Sequence, residues 1–224
     1  MAQKATYDVI VIGTGSAGFS AVEGALELGA SVCAIESGKL GGECPNYACV
    51  PSKAILKTAK LYRSAKHMRE FGIELGNVSY DFEKIMAYRK RVVSTITGGG
   101  KYGDRYVKIF SGLGVDIKYG KAVFVDDHIV DVDGENLYGK TIIVATGTVD
   151  FVPPISGLES IKFWTWKDAI TSKRQPKSLA IIGGGPVACE IATFYQSFGT
   201  RVTLLQYDPV ILNREDVEIA QLAQ

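Results

Sequence analysis

The chain lacks the features that would assign it to a membrane, to a secreted scaffold or to a nucleic acid. No apolar run in its 224 residues approaches the roughly 18 residues that a membrane-spanning helix needs. The formal net charge is only +1, which argues against an anionic partner such as nucleic acid. The N-terminus also lacks the layout of a signal peptide. We therefore expect a cytoplasmic protein with no nucleic-acid partner and no membrane association.

Cysteine and histidine are scarce. Four cysteines are too few for a disulfide scaffold, so a closely spaced pair is more typical of catalysis or metal binding than of a structural bridge. The two histidines, His67 and His128, lie far from the cysteines, and we expect no metal site. Cys33 and Cys189 fall on a predicted strand and a predicted helix, where we interpret them as small buried apolar residues.

The strongest local signal is a strand, a glycine turn, a helix and a second strand that ends in an acid. Residues 7–12 predict the first strand, the sequence G-T-G-S-A-G follows at 13–18, and a helical pattern continues to Leu28. A second predicted strand at 31–35 is followed by Glu36, which is placed to bind a ribose diol. This context is typical of a dinucleotide-binding unit.

Each glycine of this turn has a physical role in such a unit. Gly13 permits the tight turn, Gly15 lets the backbone approach a pyrophosphate, and Gly18 lets the helix pack closely on the strand. Ser16 and Ala17 open the helix, whose N-terminal N–H groups and dipole favour phosphate. All five residues are candidate cofactor ligands.

The same pattern recurs later in the chain. A predicted strand at 178–182 leads into a turn with Gly183 and Gly185, then a helix at 189–198 and a strand at 201–205. The 23 positions from the first glycine to the residue after the second strand are the same in both copies. We predict an α/β fold with two Rossmann-like dinucleotide-binding units; the alternative is that the glycines serve packing only.

Helices and a β-meander are predicted between the two copies. The helices are expected at 51–70 and 82–97, and the strands of the meander at 115–119, 121–125, 129–132 and 141–145. Asp133 and Gly134 predict a turn within the meander.

Two cysteines separated by four residues follow the first unit. Cys44 and Cys49 lie in the segment G-G-E-C-P-N-Y-A-C-V-P-S-K, which begins at Gly41 and includes Gly42. This position suits a disulfide that exchanges electrons with a flavin. The alternatives are half of a metal site or two idle thiols. We also predict that the helix through 44–49 is distorted. Residues five positions apart on a regular helix have Cα atoms that are too far apart for a disulfide.

The segment resembles the active-site motif of class I pyridine nucleotide-disulfide oxidoreductases, which include dihydrolipoamide dehydrogenase, glutathione reductase and mercuric reductase. Their motif is G-G-x-C, four residues, then C-[IV]-P-x-K. Ala145, Thr146 and Gly147 resemble the exit from the flavin domain of this family, and residues 213–220 resemble the helix start that follows the second glycine motif. The resemblance covers nearly the whole chain.

The resemblance implies FAD and either NAD or NADP as cofactors. It implies an FAD-binding domain with the redox disulfide at 1–150, a linker at 151–176, and the start of an NAD(P)-binding domain at 177–224. The substrate would be a small dithiol or disulfide, or a metal ion such as Hg(II), and the full-length form would be a homodimer.

The resemblance also assigns roles to single residues. Cys44 would attack the substrate disulfide, and Cys49 would face the flavin as a thiolate. Lys53 would lie near flavin N5, and Glu190, in the helix of the second motif, would pair with it. Glu36 would bind the adenosine ribose of FAD. The structural alternatives are a plain surface lysine at 53 and a solvated helix residue at 190.

Three features depart from the family pattern. Gln206 stands where an NAD-type enzyme presents an acid, so we expect weak discrimination between NAD and NADP. Pro186 occupies a position where some relatives place an aromatic residue. The remaining strands of the second unit, and the acid/base dyad of the family, would lie beyond residue 224. We therefore expect a fragment or split subunit that aggregates or self-associates when expressed alone.

Two further hypotheses stay open. In the first, the chain is a truncated flavin-binding fragment or split subunit with no turnover on its own. In the second, it is a thiol-redox or metal-binding interaction protein without flavin.

Overall fold

The computed structural model describes residues 5–224, which divide into two compact units. The first unit joins the residues up to Cys49 with Val93–Phe151, and the second joins Val50–Val92 with Val152–Gln224. Each unit contains one of the two glycine motifs. Within residues 5–224, no helix is long and apolar enough to cross a membrane.

The regular structure of the described residues consists of eight strands, eight α-helices and two short 3₁₀-helices at Met68–Phe71 and Leu158–Ser160. The strands are β1 (Ala5–Ile12), β2 (Val32–Glu36), β3 (Asp116–Tyr119), β4 (Ala122–Asp126), β5 (Ile129–Val132), β6 (Glu135–Val144), β7 (Ser178–Ile182) and β8 (Arg201–Leu205). The helices are α1 (Ser16–Glu27), α2 (Glu43–Asn46), α3 (Cys49–His67), α4 (Phe82–Thr97), α5 (Asp104–Gly112), α6 (Trp166–Thr171), α7 (Pro186–Ser197) and α8 (Val217–Ala223).

The first unit is built on one six-stranded sheet, in the order β3-β2-β1-β6-β5-β4. The pairs from β3 to β6 are parallel, and β4, β5 and β6 form an antiparallel meander. Alternation along β1 directs Val11 to one face, where it packs with Val22 and Phe110 of α1 and α5. Ile10 faces the other side, in a cluster with Leu137. Because β1 is buried on both faces of the sheet, the glycine turn that directly follows it starts from a fixed position.

The second unit pairs β7 with β8 in parallel and covers one face of this pair with helices. Tyr195 of α7 is fully buried, and its hydroxyl donates to the carbonyl oxygen of Ala169 at 2.7 Å. Residues of α3, α4, α6 and α7 form the core around it: Ile55, Ala59, Phe82, Met86, Ile170, Ile191, Phe194 and Phe198. On the other face Ile182 and Leu205 stay about half exposed, at 49% and 53%.

The repeat seen in the sequence is also a repeat of backbone geometry. Residues 9–12 of β1 pair with 32–35 of β2, and 178–182 of β7 pair with 201–205 of β8, each with a separation of 23 residues. The Gly13 N–H donates to the Ile35 carbonyl at 2.8 Å, and the Gly183 N–H donates to the Leu205 carbonyl at the same distance. The predicted α/β fold with two Rossmann-like units is confirmed.

The predicted meander was wrong at its first strand. Residues 115–119 were expected to open it, but β3 pairs in parallel with β2. The reason is α5, an unpredicted helix that buries Phe110 and returns the chain so that β3 runs in the same direction as β2. The later antiparallel strands and the turn at Asp133 and Gly134, both with positive φ, are confirmed.

The closing strand of the meander is twice as long as predicted. It was expected at 141–145, but β6 begins at Glu135 and pairs with both β5 and β1. Gly139 makes this possible, because a Cβ there would lie only 2.9 Å from Ile10 Cγ1.

Candidate active site

The first glycine turn is shaped by close backbone approaches. Gly13 has φ +99°, and a Cβ there would collide with the carbonyl oxygen of Ala145. A Cβ on Gly18 would collide with the carbonyl oxygen of Gly13. Gly15 differs, because the nearest heavy atom to a Cβ there is Gly42 Cα at 3.7 Å. The tight-turn role of Gly13 and the packing role of Gly18 are confirmed, while a phosphate contact at Gly15 stays a prediction.

Glu36, at the end of β2, is hydrogen-bonded to this turn. Its Oε2 accepts from the Thr14 N–H at 3.1 Å and from the Thr14 hydroxyl at 2.5 Å. Its Oε1 accepts from the Gly38 N–H at 2.8 Å. Since Thr14 is fully buried, these bonds hold the carboxylate at the carboxyl end of the sheet, where a ribose would lie.

The segment before the first cysteine is anchored to the same turn. The Gly41 N–H donates to the Thr14 carbonyl at 3.2 Å, and a Cβ on Gly42 would lie 2.5 Å from Gly15 Cα. The buried Asn46 donates from Nδ2 to the carbonyl oxygens of Leu40, at 3.0 Å, and Gly42, at 2.8 Å. The cysteine segment is therefore held against the amino-terminal end of α1.

The helix that carries the cysteines is interrupted between them. Cys44 belongs to the short α2, which ends at Asn46, and Tyr47 has φ −132° and ψ −28°. Cys49 is the first residue of α3. The predicted distortion between 44 and 49 is thus confirmed, while a bridge between the two sulfur atoms stays a prediction.

An open cavity of about 440 Å³ connects these parts of the first unit. Its lining residues come from the first turn of α1, from the cysteine segment and from the end of β6: Gly15, Ser16, Ala17, Glu43, Cys44, Ala48, Cys49, Val144, Ala145, Thr146 and Gly147. Both cysteines are exposed.

The cavity fits the cofactor that the motif implies. Gly15 offers open backbone, the first N–H groups of a helix lack intrahelical partners, and Glu36 is held beside the turn. Residues 5–224 contain no cluster of three or more His, Cys, Asp or Glu side chains that could hold a metal ion.

In the second unit, Lys53 of α3 and Glu190 of α7 form an ion pair. Lys53 Nζ lies 2.5 Å from Glu190 Oε1, with the two side chains 62% and 28% exposed. The predicted pairing is confirmed, whereas the catalytic roles of the two residues stay predictions. Such an exposed pair contributes only about 0–1 kcal/mol to stability.

The two remaining cysteines have different surroundings. Cys33 is fully buried in β2, and burial raises the pKa of its thiol to about 12, which makes it unreactive. Its predicted burial is confirmed. Cys189 is only half-buried in α7, so the same prediction is wrong for it. It lies beside the second glycine turn, where its Sγ is 3.7 Å from the Gly184 carbonyl oxygen.

The loop that follows β8 has an acid, Asp208, that the sequence analysis missed. Gln206 follows β8 as predicted, but its Nε2 donates to Asp208 Oδ2 at 3.1 Å. Asn213 Nδ2 donates to the same oxygen at 2.7 Å.

A family model described as pyridine nucleotide-disulphide oxidoreductase matches residues 7–224. The chain belongs to this family. Its match begins in β1 and includes both glycine motifs and the cysteine segment, so the features of both compact units fall within it.

Several curated members of the pyridine nucleotide-disulphide oxidoreductase family are about one-third identical to this chain. Mercuric reductase from Staphylococcus aureus is 33% identical over 215 residues, which cover 96% of this chain and 38% of the relative. Dihydrolipoyl dehydrogenase from Geobacillus stearothermophilus is 36% identical over 223 residues, which cover 96% of this chain and 45% of the relative. The chain spans less than half the length of these two relatives.

A solved structure of the same kind supports the fold. The HOCl-induced flavoprotein disulfide reductase RclA from Escherichia coli matches with a TM-score of 0.79 and 26% identity, over 97% of this chain and 46% of that one.

Sequence reasoning overlooked three side chains of this family member: Thr14, Asn46 and Asp208. Thr14 and Asn46 stand at variable positions of their motifs, so nothing in the sequence alone distinguished them. For Asp208, its place two residues after Gln206 was a usable signal, because the turn that follows a strand can bring such residues together.

Proposed function

We propose that the chain is the flavin- and thiol-containing part of an FAD-dependent disulfide oxidoreductase. Electrons would pass from NADH, NADPH or a dithiol through the flavin and the Cys44/Cys49 pair. The observation that carries this proposal is that both cysteines line the same cavity as the first turn of α1. The substrate would be a small dithiol, a disulfide or Hg(II), as the names of the relatives suggest. We further propose a cytoplasmic homodimer for the full-length form.

The first unit would hold FAD through its glycine turn. Gly13, Gly15 and Gly18 shape the backbone, and the first N–H groups of α1 would receive the pyrophosphate. Glu36 would accept hydrogen bonds from the adenosine ribose. Gly147, with φ +74° at the end of the cavity, belongs to the same candidate site.

The two thiols would perform the exchange chemistry. The Cys44 thiolate attacks one sulfur of the substrate disulfide, forms a mixed disulfide and releases the first thiol. The Cys49 thiolate then attacks Cys44 Sγ, releases the second thiol and leaves a Cys44–Cys49 disulfide. This disulfide would return to two thiols by taking up two protons and the two electrons that a flavin would supply when bound. Exposure of both cysteines supports this assignment, because the substrate must reach the attacking sulfur.

In the second unit, Gly183 and Gly185 would shape the nicotinamide dinucleotide site, with Gln206 at the ribose end. Lys53 would act as the cation beside the flavin, positioned by Glu190. The ion pair supports a positioning role for Glu190, since it restricts an otherwise flexible lysine side chain.

A second candidate function is a flavin-binding fragment or split subunit with no turnover on its own. The observation that favours it is length, because the chain spans 38% of one mercuric reductase and 45% of one dihydrolipoyl dehydrogenase. In that case the chain would bind flavin and accept electrons but would need further polypeptide for catalysis.

Anaerobic reductive titration tests the proposed function. The protein should carry a yellow chromophore with flavin absorbance. It should take up about two two-electron equivalents of reductant per chain, one for the flavin and one for the disulfide. Uptake of one equivalent would remove the disulfide from the mechanism. A colourless protein that still exchanges thiols would instead support a thiol-redox function without flavin.

The Glu36→Ala variant should lose FAD on dilution about tenfold more readily than the parent, because the adenosine end loses a charged acceptor. The variant also removes the acceptor of both Thr14 hydrogen bonds, which should loosen the turn. Flavin fluorescence in the filtrate after repeated dilution measures this loss. Glu27→Ala, in the exposed last turn of α1, is the matched control. Equal retention by the two variants would show that Glu36 is not a ligand.

A further inference from the structure

The second dinucleotide motif carries its acid two residues later than the first. In the first unit, Glu36 directly follows β2 and contacts the glycine turn at Thr14. In the second unit, Gln206 holds the same place after β8, and its side chain lies against Gly184, the counterpart of Thr14. A Cβ on Gly184 would be 3.1 Å from Gln206 Cδ. The amide therefore occupies the position of the Glu36 carboxylate without its charge.

Asp208 supplies a carboxylate next to that amide. The amide groups of Gln206 and Asn213 both donate to its Oδ2, at 3.1 Å and 2.7 Å. No hydrogen bond between residues 5–224 involves its Oδ1. In the first unit the corresponding positions are 36 and 38, and there the acid comes first: the Gly38 N–H donates to Glu36 Oε1. Each unit thus has one carboxylate within these two positions.

The loop that carries Asp208 is held against the glycine turn. The Leu212 N–H donates to the Gly184 carbonyl at 2.8 Å, and a Cβ on Gly184 would lie 2.9 Å from Ile211 Cγ2. Asp208 is half-buried under these constraints. Its carboxylate consequently stays at the carboxyl end of β8, the edge at which Rossmann units bind the adenosine ribose.

We propose that Asp208 makes the second unit select NAD(H) over NADP(H). The inference rests on the proposed function, in which this unit binds a nicotinamide dinucleotide. A carboxylate accepts hydrogen bonds from a ribose diol and repels a 2′-phosphate. With Asp208 at this edge, we expect a preference for NAD(H) in place of the weak discrimination between NAD and NADP that Gln206 alone predicts.

Equilibrium binding of NAD⁺ and NADP⁺ to the oxidised, full-length flavoprotein tests this proposal without turnover. By titration calorimetry, NAD⁺ should bind at least about tenfold more tightly than NADP⁺, the effect expected of one close like-charge contact near a protein surface. Asp208→Asn should narrow that ratio at least about fivefold, mainly through tighter NADP⁺ binding. Asp208→Glu restores the charge and should retain the preference. Competition between 5′-AMP and 2′,5′-ADP repeats the comparison on the adenosine end of the ligand.

The controls separate this inference from the function on which it rests. Asp216→Asn removes a nearby acid that makes none of these contacts, and the ratio should stay at the parent value. Equal affinities of the parent for NAD⁺ and NADP⁺ would overturn the role of Asp208 alone. So would an Asp208→Asn variant that keeps the parent's preference both in calorimetry and in the competition between 5′-AMP and 2′,5′-ADP. If neither dinucleotide binds to the parent, the proposed function of the second unit fails and this inference fails with it.

Discussion

Replacing Cys49 by serine is expected to lower disulfide reduction by on the order of 1000-fold or more, while FAD stays bound. Cys44 can still attack a substrate disulfide in this variant, but no second thiol is present to release it. The protein should therefore accumulate a stable mixed disulfide at Cys44, visible by intact-protein mass spectrometry as the added mass of one substrate thiol. In the anaerobic titration it should take up about one reductant equivalent in place of two.

The other cysteines provide the controls for this experiment. Cys44→Ser should be equally inactive but should form no mixed disulfide, because it lacks the attacking thiol. Cys189→Ser changes a half-buried thiol that lies outside the cavity lining, and it should keep the activity of the parent. Full activity in Cys49→Ser would contradict the proposed exchange. A mixed disulfide in Cys44→Ser and not in Cys49→Ser would reverse the two roles.

Much of the fold could be predicted because the two units repeat a local pattern. The strand, the turn and the second strand lie within about 23 residues of one another in each copy, so the hydrophobic period and the glycines are sufficient evidence. The strands β7 and β8 were predicted with the bounds that the structure has. Pairing between distant segments was harder. The glycines at 98–100 and 103 concealed α5, and without this helix the direction of β3 could not be predicted.

The arrangement of the candidate site could be predicted where it depends on residue type, and it was missed where it depends on side-chain direction. Cys44 and Cys49 were found from their spacing, and the ion pair of Lys53 with Glu190, 137 positions apart, came from the family resemblance. Asp208 was missed because a one-position comparison with Glu36 ends at Gln206. Which side chain presents its charge there depends on the path of the chain after β8, and the sequence pattern does not encode that path.

The Gly18→Ala variant is expected to destabilise the first unit by about 2–3 kcal/mol and to weaken FAD binding by about 100-fold. Gly18 lies in α1, where alanine is intrinsically the better helix former by about 1 kcal/mol. Here that gain is outweighed, because the new Cβ would overlap the Gly13 carbonyl oxygen, which is backbone and cannot rotate away. Either α1 moves off β1 or the turn opens, and both changes displace the N–H groups proposed to bind the pyrophosphate.

A second glycine in the same helix serves as the matched control. Gly24 lies on the exposed side of α1, and a Cβ there would meet no atom within 4 Å. Gly24→Ala should therefore stabilise the unit by about 0.5–1 kcal/mol and leave FAD binding unchanged. Thermal unfolding followed by flavin fluorescence measures both variants, with a decrease in Tm of about 5–10 °C expected for Gly18→Ala. Opposite signs for one substitution in one helix can arise only from the surroundings of each glycine, so equal shifts in Tm would contradict the packing role of Gly18.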